Sequence, residues 1–316
     1  MTAAAPPASW TELRVTVSRD AAEAVAEILR GLRGDGSIEE SAGSGRVRFR
    51  VYLPPSRLLR ATLAALRARV RGLRRYGLEP GRITVSSRSV RARRWATAWR
   101  KHARAVRVGR LLVRPSWLRA APRRGDVTVA VDPGMAFGTG MHASTRLALR
   151  GLVGALARQS RARVFDVGTG SGILAIAAAA LGAAEVLAVD SDPVATAAAR
   201  ANVRLNRCAR RVRVVDGAGI GMAPGRADVI VANIVADTIV ELLPDVRAHL
   251  AAGGVFIGSG IVAGRVRVVL RAARAAGFRA GPVMREGDWR AVLLSATPRS
   301  DSRASAERKN RSAQPR

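Results

Sequence analysis

The chain has 316 residues, 48% hydrophobic but only 4% aromatic, and a formal charge of +31 from 54 basic and 23 acidic side chains. That length can bury a large core in one or two domains, while the single cysteine, Cys208, excludes an internal disulfide and a cysteine-rich zinc site. The opening lacks a basic-then-apolar leader, and the longest apolar run, Ile173 to Leu181, is too short to cross a bilayer; a cytoplasmic, monomeric protein without a resident metal is expected.

Residues 10–90 read as a small domain of their own. Leu13 to Val17 alternates as a strand, Ala21 to Leu32 is helical with Asp20 as its N-cap, and Gly34 to Gly36 is a turn. A weakly patterned strand at Ser37 to Ser41 follows, then a strongly alternating one from Val47 to Leu53, a helix from Ser56 to Leu73 and a strand from Ile83 to Ser87. The order β-α-β-β-α-β is ferredoxin-like. No carboxylate, histidine or glycine cluster in it suggests chemistry, so its expected role is to recognise a partner.

Residues 91–122 form a linker. It begins with a basic helix bearing Trp95 and Trp99 on one face, read as packing between domains in preference to stacking on bases, and ends in a short strand from Arg110 to Trp117. The third region, residues 123–297, opens with a strand at Val127 to Val131, a glycine-rich loop from Asp132, and a helix from Thr145 to Leu156. Within that loop, Met135-Ala136-Phe137 suits a wall over a ligand better than a plain linker.

From Arg163 to Asp190 the pattern is one βαβ unit: strand, glycine turn (Gly168, Gly170, Gly172), apolar helix, strand. Glycines there let a ligand lie against main-chain amides at a helix start, and Asp190, about twenty residues on, ends the second strand where a carboxylate can grip ribose hydroxyls. A dinucleotide fingerprint would place its third glycine at position 173, which is Ile173, and no Lys-Ser/Thr pair marks a P-loop. The spacing, with its distal acid, resembles the S-adenosyl-L-methionine (SAM) site of class I methyltransferases. Beyond it the pattern predicts a helix to Asn206, strands at Val212 to Asp216 and Val229 to Asn233, and a helix from Asp237 to Leu250. A strand at Val255 to Gly258, a helix from Val262 to Ala276 and strands near Pro282 to Arg285 and Arg290 to Ser295 complete the sheet. The basic tail, residues 298–316, reads as disordered.

Four stretches together, DPGMAFGTGMHASTRLAL (132–149), VFDVGTGSGILAIAA (164–178), VDSDP (189–193) and VANIVA (231–236), resemble the ribosomal protein L-eleven (L11) methyltransferase family, the PrmA type. The tryptophan-bearing linker and the ending EGDWRAVLLS are also similar to that family, so the likeness spans residues 10–296. It implies a class I SAM-methyltransferase fold, Rossmann-like with a seven-stranded α/β sheet, behind a ferredoxin-like N-terminal domain. It implies a SAM-dependent enzyme that methylates amino groups of the large-subunit ribosomal protein L11. Carried over by motif, cofactor contacts fall on Thr145, Gly168, Asp190 and Asn233, with Gly170, Gly172, Phe137 and His142 lining the same pocket. The strong basicity, the weak second strand and the added tail depart from the family pattern.

Several roles stay open between two readings. Asn233 either accepts from the substrate amine and contacts the methionine moiety, or satisfies a turn. His142 either accepts a proton or caps the loop, Thr145 either contacts the ligand or caps a helix, and Asp216 either meets the adenine amino group or stands in a turn. Asp166 is expected to steady the glycine loop. A basic surface favours ribosomal RNA contact through counterion release, although only Lys101 and Lys309 are lysines and arginine preference also follows from a G+C-rich genome. RNA methylation is a rival, but Ile234-Val235 offers no aromatic stacker for a flipped base. A non-catalytic binding module has no need of Asp190, and lysines of another protein remain an alternative substrate.

Overall fold

The structure, a computed structural model, describes residues 9–30, 32, 35–53, 59–91, 104–132, 142–159, 161–221 and 223–297. The chain divides into two compact units, residues 1–103 and 104–316. The helix expected around Trp95 and Trp99, the Met135-Ala136-Phe137 run and the tail lie outside the described residues. Among the described residues no helix is long and apolar enough to cross a membrane.

The first unit contains β1 (Ser9–Ser18), α1 (Ala22–Arg30), β2 (Asp35–Ser41), β3 (Arg46–Leu53), α2 (Leu59–Gly72) and β4 (Thr84–Arg91). Its antiparallel sheet has the order β2-β3-β1-β4, the ferredoxin-like arrangement. Alternation builds the core: Leu13, Val15 and Val17 of β1 and Val47, Phe49 and Val51 of β3 bury one face with Val25 and Leu29 of α1 and Leu66 and Val70 of α2. On the other face Glu12, 1% exposed, accepts from Arg14 and Arg88. Burial alone would raise the Glu12 carboxyl, but the two guanidinium groups outweigh it and hold it below the usual range. Gly36, read from sequence as turn, falls inside β2 at a shift of register between Asp35 and Ser37. Asp20 is not the cap of α1: its carboxylate accepts from the Glu79 N–H at 2.9 Å, and Ser18 Oγ accepts from Ala21 N–H.

The second unit opens with a three-stranded sheet of β5 (Val106–Val108), β6 (Leu111–Pro115) and β7 (Val127–Val131). The strand placed in the linker by the sequence is β6, which runs parallel to β7 and so belongs to this unit. Next come α3 (Ala143–Leu156), β8 (Arg163–Val167), α4 (Ile173–Ala180), β9 (Glu185–Asp190), α5 (Pro193–Leu205), β10 (Val212–Asp216) and β11 (Ala227–Asn233). The chain closes with α6 (Ala236–His249), β12 (Leu250–Val262), α7 (Val266–Ala275), β13 (Phe278–Glu286) and β14 (Trp289–Ala296).

Seven strands form the main sheet in the order β10-β9-β8-β11-β12-β14-β13. The first five are mutually parallel, and β14 inserts antiparallel between β12 and β13. Both faces are covered, and the core splits residue by residue: Val164, Val186 and Val229 join one cluster with α3, α4 and α5, whereas Phe165, Leu187 and Ile230 join another with α6 and α7. Helix α4 is buried from Ile173 to Ala179, which is why it lacks a polar stripe. Strand β8 has β9 on one side and β11 on the other, so strand order reverses there and a crevice opens at the carboxyl ends.

Candidate active site

That crevice is where the glycine turn sits. Gly168, Gly170 and Gly172 all have positive φ (71°, 55° and 81°), a conformation that favours glycine. The Gly168 and Thr169 N–H groups both donate to Val189 O, at 2.9 and 3.0 Å, tying the turn to β9. A Cβ at Gly172 would stand 3.2 Å from the Ala199 backbone, so the missing side chain lets α5 pack against the start of α4.

Asp166 supports the turn from beneath. It is fully buried in β8, and its Oδ2 accepts from Thr169 Oγ1 at 2.6 Å and from Ala175 N–H at 3.0 Å, while Oδ1 has no partner among the described residues. Burial pushes its carboxyl up to about 7; the two hydrogen bonds lower it, and nearby Asp190 raises it. Because the folded pKa lies above the unfolded one, the stability this group gives is present below pH 4 and is lost as pH rises through 7. Asp166→Asn, an isostere of the neutral form, is expected to raise Tm relative to wild type more at pH 8 than at pH 5. Thermal melts at both values check this, and an equal effect at both would contradict it.

Asp190, at the end of β9, spans to the turn: its Oδ2 accepts from Gly170 N–H at 2.8 Å and its Oδ1 from Asp192 N–H at 3.0 Å. Asp192 in turn caps α5 through Val194 N–H at 2.8 Å. Asp216 lies opposite Asp190 in the β10–β9 register. Its carboxylate, however, is taken up by α5, through Thr196 and through Arg200 at 2.8 Å, which hold it below the usual range. The side chain proposed for the adenine amino group is thus engaged sideways.

Across the crevice, Asn233 ends β11. Its Nδ2 donates to Thr145 Oγ1 at 3.3 Å, and its Oδ1 is buried without a partner among the described residues. Thr145 is itself fully buried in the first turn of α3, next to Ser144, whose carbonyl accepts from Ser259 Oγ at 2.8 Å. Ser259 faces Asn233 in the β12–β11 register, so it pins α3 to the strand beside the site. The following residue, Ile234, is wedged between two glycines. A Cβ on Gly168 would lie 2.6 Å from Ile234 Cγ2, and one on Gly260 would lie 2.4 Å from Ile234 O. Neither Ser259 nor Gly260 stood out in the sequence, because each owes its role to a neighbour on another strand.

His142 takes the capping role. Its Nδ1 accepts from Ser144 N–H at 3.3 Å at the start of α3 and lies 2.8 Å from Ser144 Oγ. Burial and the Arg146 cation lower its pKa against the opposing effect of Glu286. Its edge meets Trp289, with centroids 4.6 Å apart. Trp289, in the sequence run EGDW, therefore walls this end of α3. Phe137 lies outside the described residues.

The residues present fit SAM: a nucleoside can rest on the glycine turn with its ribose at Asp190, and the buried, unsatisfied Asn233 oxygen waits for a donor. The seven-stranded sheet and this crevice define a class I SAM-dependent methyltransferase. Residues 9–297 match the family described as ribosomal protein L11 methyltransferase (PrmA). Proteins of that name from Pelotomaculum thermopropionicum and Symbiobacterium thermophilum are 39% and 40% identical over 311 and 302 residues, each alignment covering 90% of this chain and 97% and 98% of theirs. The crystal structure of ribosomal protein L11 methylase from Lactobacillus delbrueckii subsp. bulgaricus is similar with a TM-score of 0.56 at 33% identity, over 61% of this chain and 98% of that one. The chain belongs to the ribosomal protein L11 methyltransferase family and is a protein methyltransferase.

Proposed function

We propose that this protein transfers methyl groups from SAM to amino groups of ribosomal protein L11, lysine side chains or the N-terminal amine, in the cytoplasm and as a monomer. The observation that carries the reading is the buried Oδ1 of Asn233 beside the glycine turn, which has no partner among the described residues. The main chain of the Gly168–Gly172 turn supports the nucleoside, and Asp190 takes the ribose hydroxyls. Thr145 orients Asn233, His142 and Trp289 close one wall, and Phe137 enters through the family resemblance alone. With its carboxylate engaged by Arg200, Asp216 bounds the adenine edge. The ferredoxin-like unit recognises the protein substrate.

When bound, SAM supplies an electrophilic methyl, moved by one in-line displacement. The chain's own residues must present an uncharged amine. A lysine with a pKa of about 10.4 is almost wholly protonated at neutral pH, whereas an α-amine near 8 is partly free. Desolvation in the crevice favours the neutral amine, and the Asn233 oxygen accepts one N–H, which aims the nitrogen lone pair.

Because the nitrogen gains positive charge as the methyl transfers, this hydrogen bond contributes about 1.5–3 kcal/mol, so Asn233→Ala is expected to lower kcat/KM about 10- to 100-fold with Tm changed by only about 2 °C. Steady-state kinetics with SAM and L11 check this, and unchanged kcat/KM would remove Asn233 from the reaction. The formal charge of +31 favours one rival, methylation of RNA. Incubation with radiolabelled SAM, unmethylated ribosomal subunits, separated ribosomal proteins and naked ribosomal RNA decides between them. Label in L11 supports the proposal, and label confined to RNA or to other proteins overturns it.

A further inference from the structure

Among the described residues, strand β7 has β6 along one edge, and its other edge is completed by side chains instead of a strand. Asn206 Oδ1 accepts from Ala130 N–H at 2.9 Å and its Nδ2 donates to Ala130 O at 2.6 Å. One helical turn earlier, Asn202 Oδ1 accepts from Asp132 N–H at 2.8 Å and its Nδ2 donates to Asp132 O at 2.9 Å. The spacings match: four residues of helix rise about 6 Å, and two residues of strand rise about 6.6 Å. Asn202 on α5 and Asn206, the residue that caps its C-terminus, thus reproduce a strand's ladder.

Asn202 does one thing more. Its second Nδ2 hydrogen goes to Ser171 O at 2.8 Å, inside the glycine turn, and the side chain is only 1% exposed. Both amide hydrogens and the oxygen are engaged, so reversing the amide would set its oxygen against two carbonyls. Asn206 donates its second hydrogen to Asn202 O at 2.8 Å and does not touch the turn.

We propose that Asn202 is a positioning residue for methyl transfer: it fixes the glycine turn, through Ser171, to the end of β7 at Asp132, and so holds the SAM bed in register. The proposal rests on the reading of that turn as the SAM site. Asn206 serves as the internal control, since it completes the same ladder without reaching the turn.

The test compares Asn202→Ala, Asn202→Asp and Asn206→Ala by calorimetric titration with SAM, thermal melting and kinetics with L11. Asn202→Asp keeps the acceptor for Asp132 N–H but loses both donors. Expected are similar losses of Tm for Asn202→Ala and Asn206→Ala, a SAM Kd raised tenfold or more in both Asn202 variants, and one within twofold of wild type in Asn206→Ala. The kinetic loss in the Asn202 variants should fall on KM for SAM more than on kcat. Equal weakening at the two positions, or an Asn202 variant that binds SAM as wild type does, would overturn the proposal. Wild type that fails to bind SAM would instead overturn the site assignment. Should the Asn202 variants not fold, hydrogen exchange on the unaltered protein decides: SAM should slow exchange of the Asp132 amide, by reciprocal coupling through Asn202, and exchange indifferent to SAM would refute the link.

Discussion

Asp190→Ala is expected to bind SAM at least a hundredfold more weakly than wild type, with only a small loss of Tm. Each carboxylate oxygen already accepts one N–H, from Gly170 and from Asp192, and each keeps lone-pair capacity for a ribose hydroxyl. The substitution removes both ribose acceptors and frees the Gly170 amide that shapes the turn. Hydrogen bonds to charged groups contribute about 1.5–3 kcal/mol each, so losing two accounts for a hundredfold or more. Asp190→Asn, which retains one acceptor, should fall between the two. Calorimetric titration measures the effect, and a Kd for Asp190→Ala within threefold of wild type would contradict the assignment.

Gly260→Ala is expected to cost about 3 kcal/mol of stability and most of the activity. At φ +84°, an L side chain pays about 1–2 kcal/mol for the left-handed backbone. Its Cβ would also stand 2.4 Å from Ile234 O and 3.0 Å from Ile234 C, so the backbone next to Asn233 has to shift. Overpacking of that kind costs about 1–3 kcal/mol, and the sum corresponds to a fall in Tm of about 6–12 °C. Gly168→Ala differs in kind, because its new Cβ meets the Ile234 side chain, at Cγ2. Adding Ile234→Ala should therefore recover part of the Gly168→Ala loss and none of the Gly260→Ala loss. Melts of the four variants test this, and equal rescue of both glycine variants would refute the backbone argument.

The parts of the fold that were legible in the sequence are those whose signal is local. Strand β8, the glycine turn, α4 and β9 fall where period and glycine placement put them, as does the alternating β3, because an apolar run and a positive φ are written into consecutive residues. Where a residue's partner comes from elsewhere in the chain, the reading fails. Asp20 has the chemistry of a cap but spends its carboxylate on Glu79. Asp216, read as an adenine contact or a turn residue, also meets Arg200 and Thr196 of α5, partners that its own neighbourhood does not indicate. Strand β12 runs from Leu250 to Val262, far beyond the four residues with strand character, because Ala251 to Gly254 carry no apolar alternation. Asn202 and Asn206 look like ordinary helix-face amides, and nothing in their sequence neighbourhood indicates that they complete an edge formed seventy residues earlier.

The glycine turn, Asp190 and Asn233 were legible as a group for a physical reason. A side-chain-free turn, an acid one strand over and a polar strand end each follow from the chain's local needs at the carboxyl edge of an open sheet. How Asn233 is held, by Thr145 on one side and by an isoleucine wedged between two glycines, depends on three further elements and emerges only in the folded protein.

The central claim is that this crevice seats the nucleoside of SAM, and a crystal structure of the chain with S-adenosylhomocysteine tests it most directly. The predicted result is a ribose with both hydroxyls within about 2.6–3.2 Å of the Asp190 carboxylate, its adenosine lying along Gly168 to Gly172 and the Asn233 oxygen facing the sulfur side. A ligand seated elsewhere, with Asp190 still bound only to Gly170 and Asp192, would contradict the account.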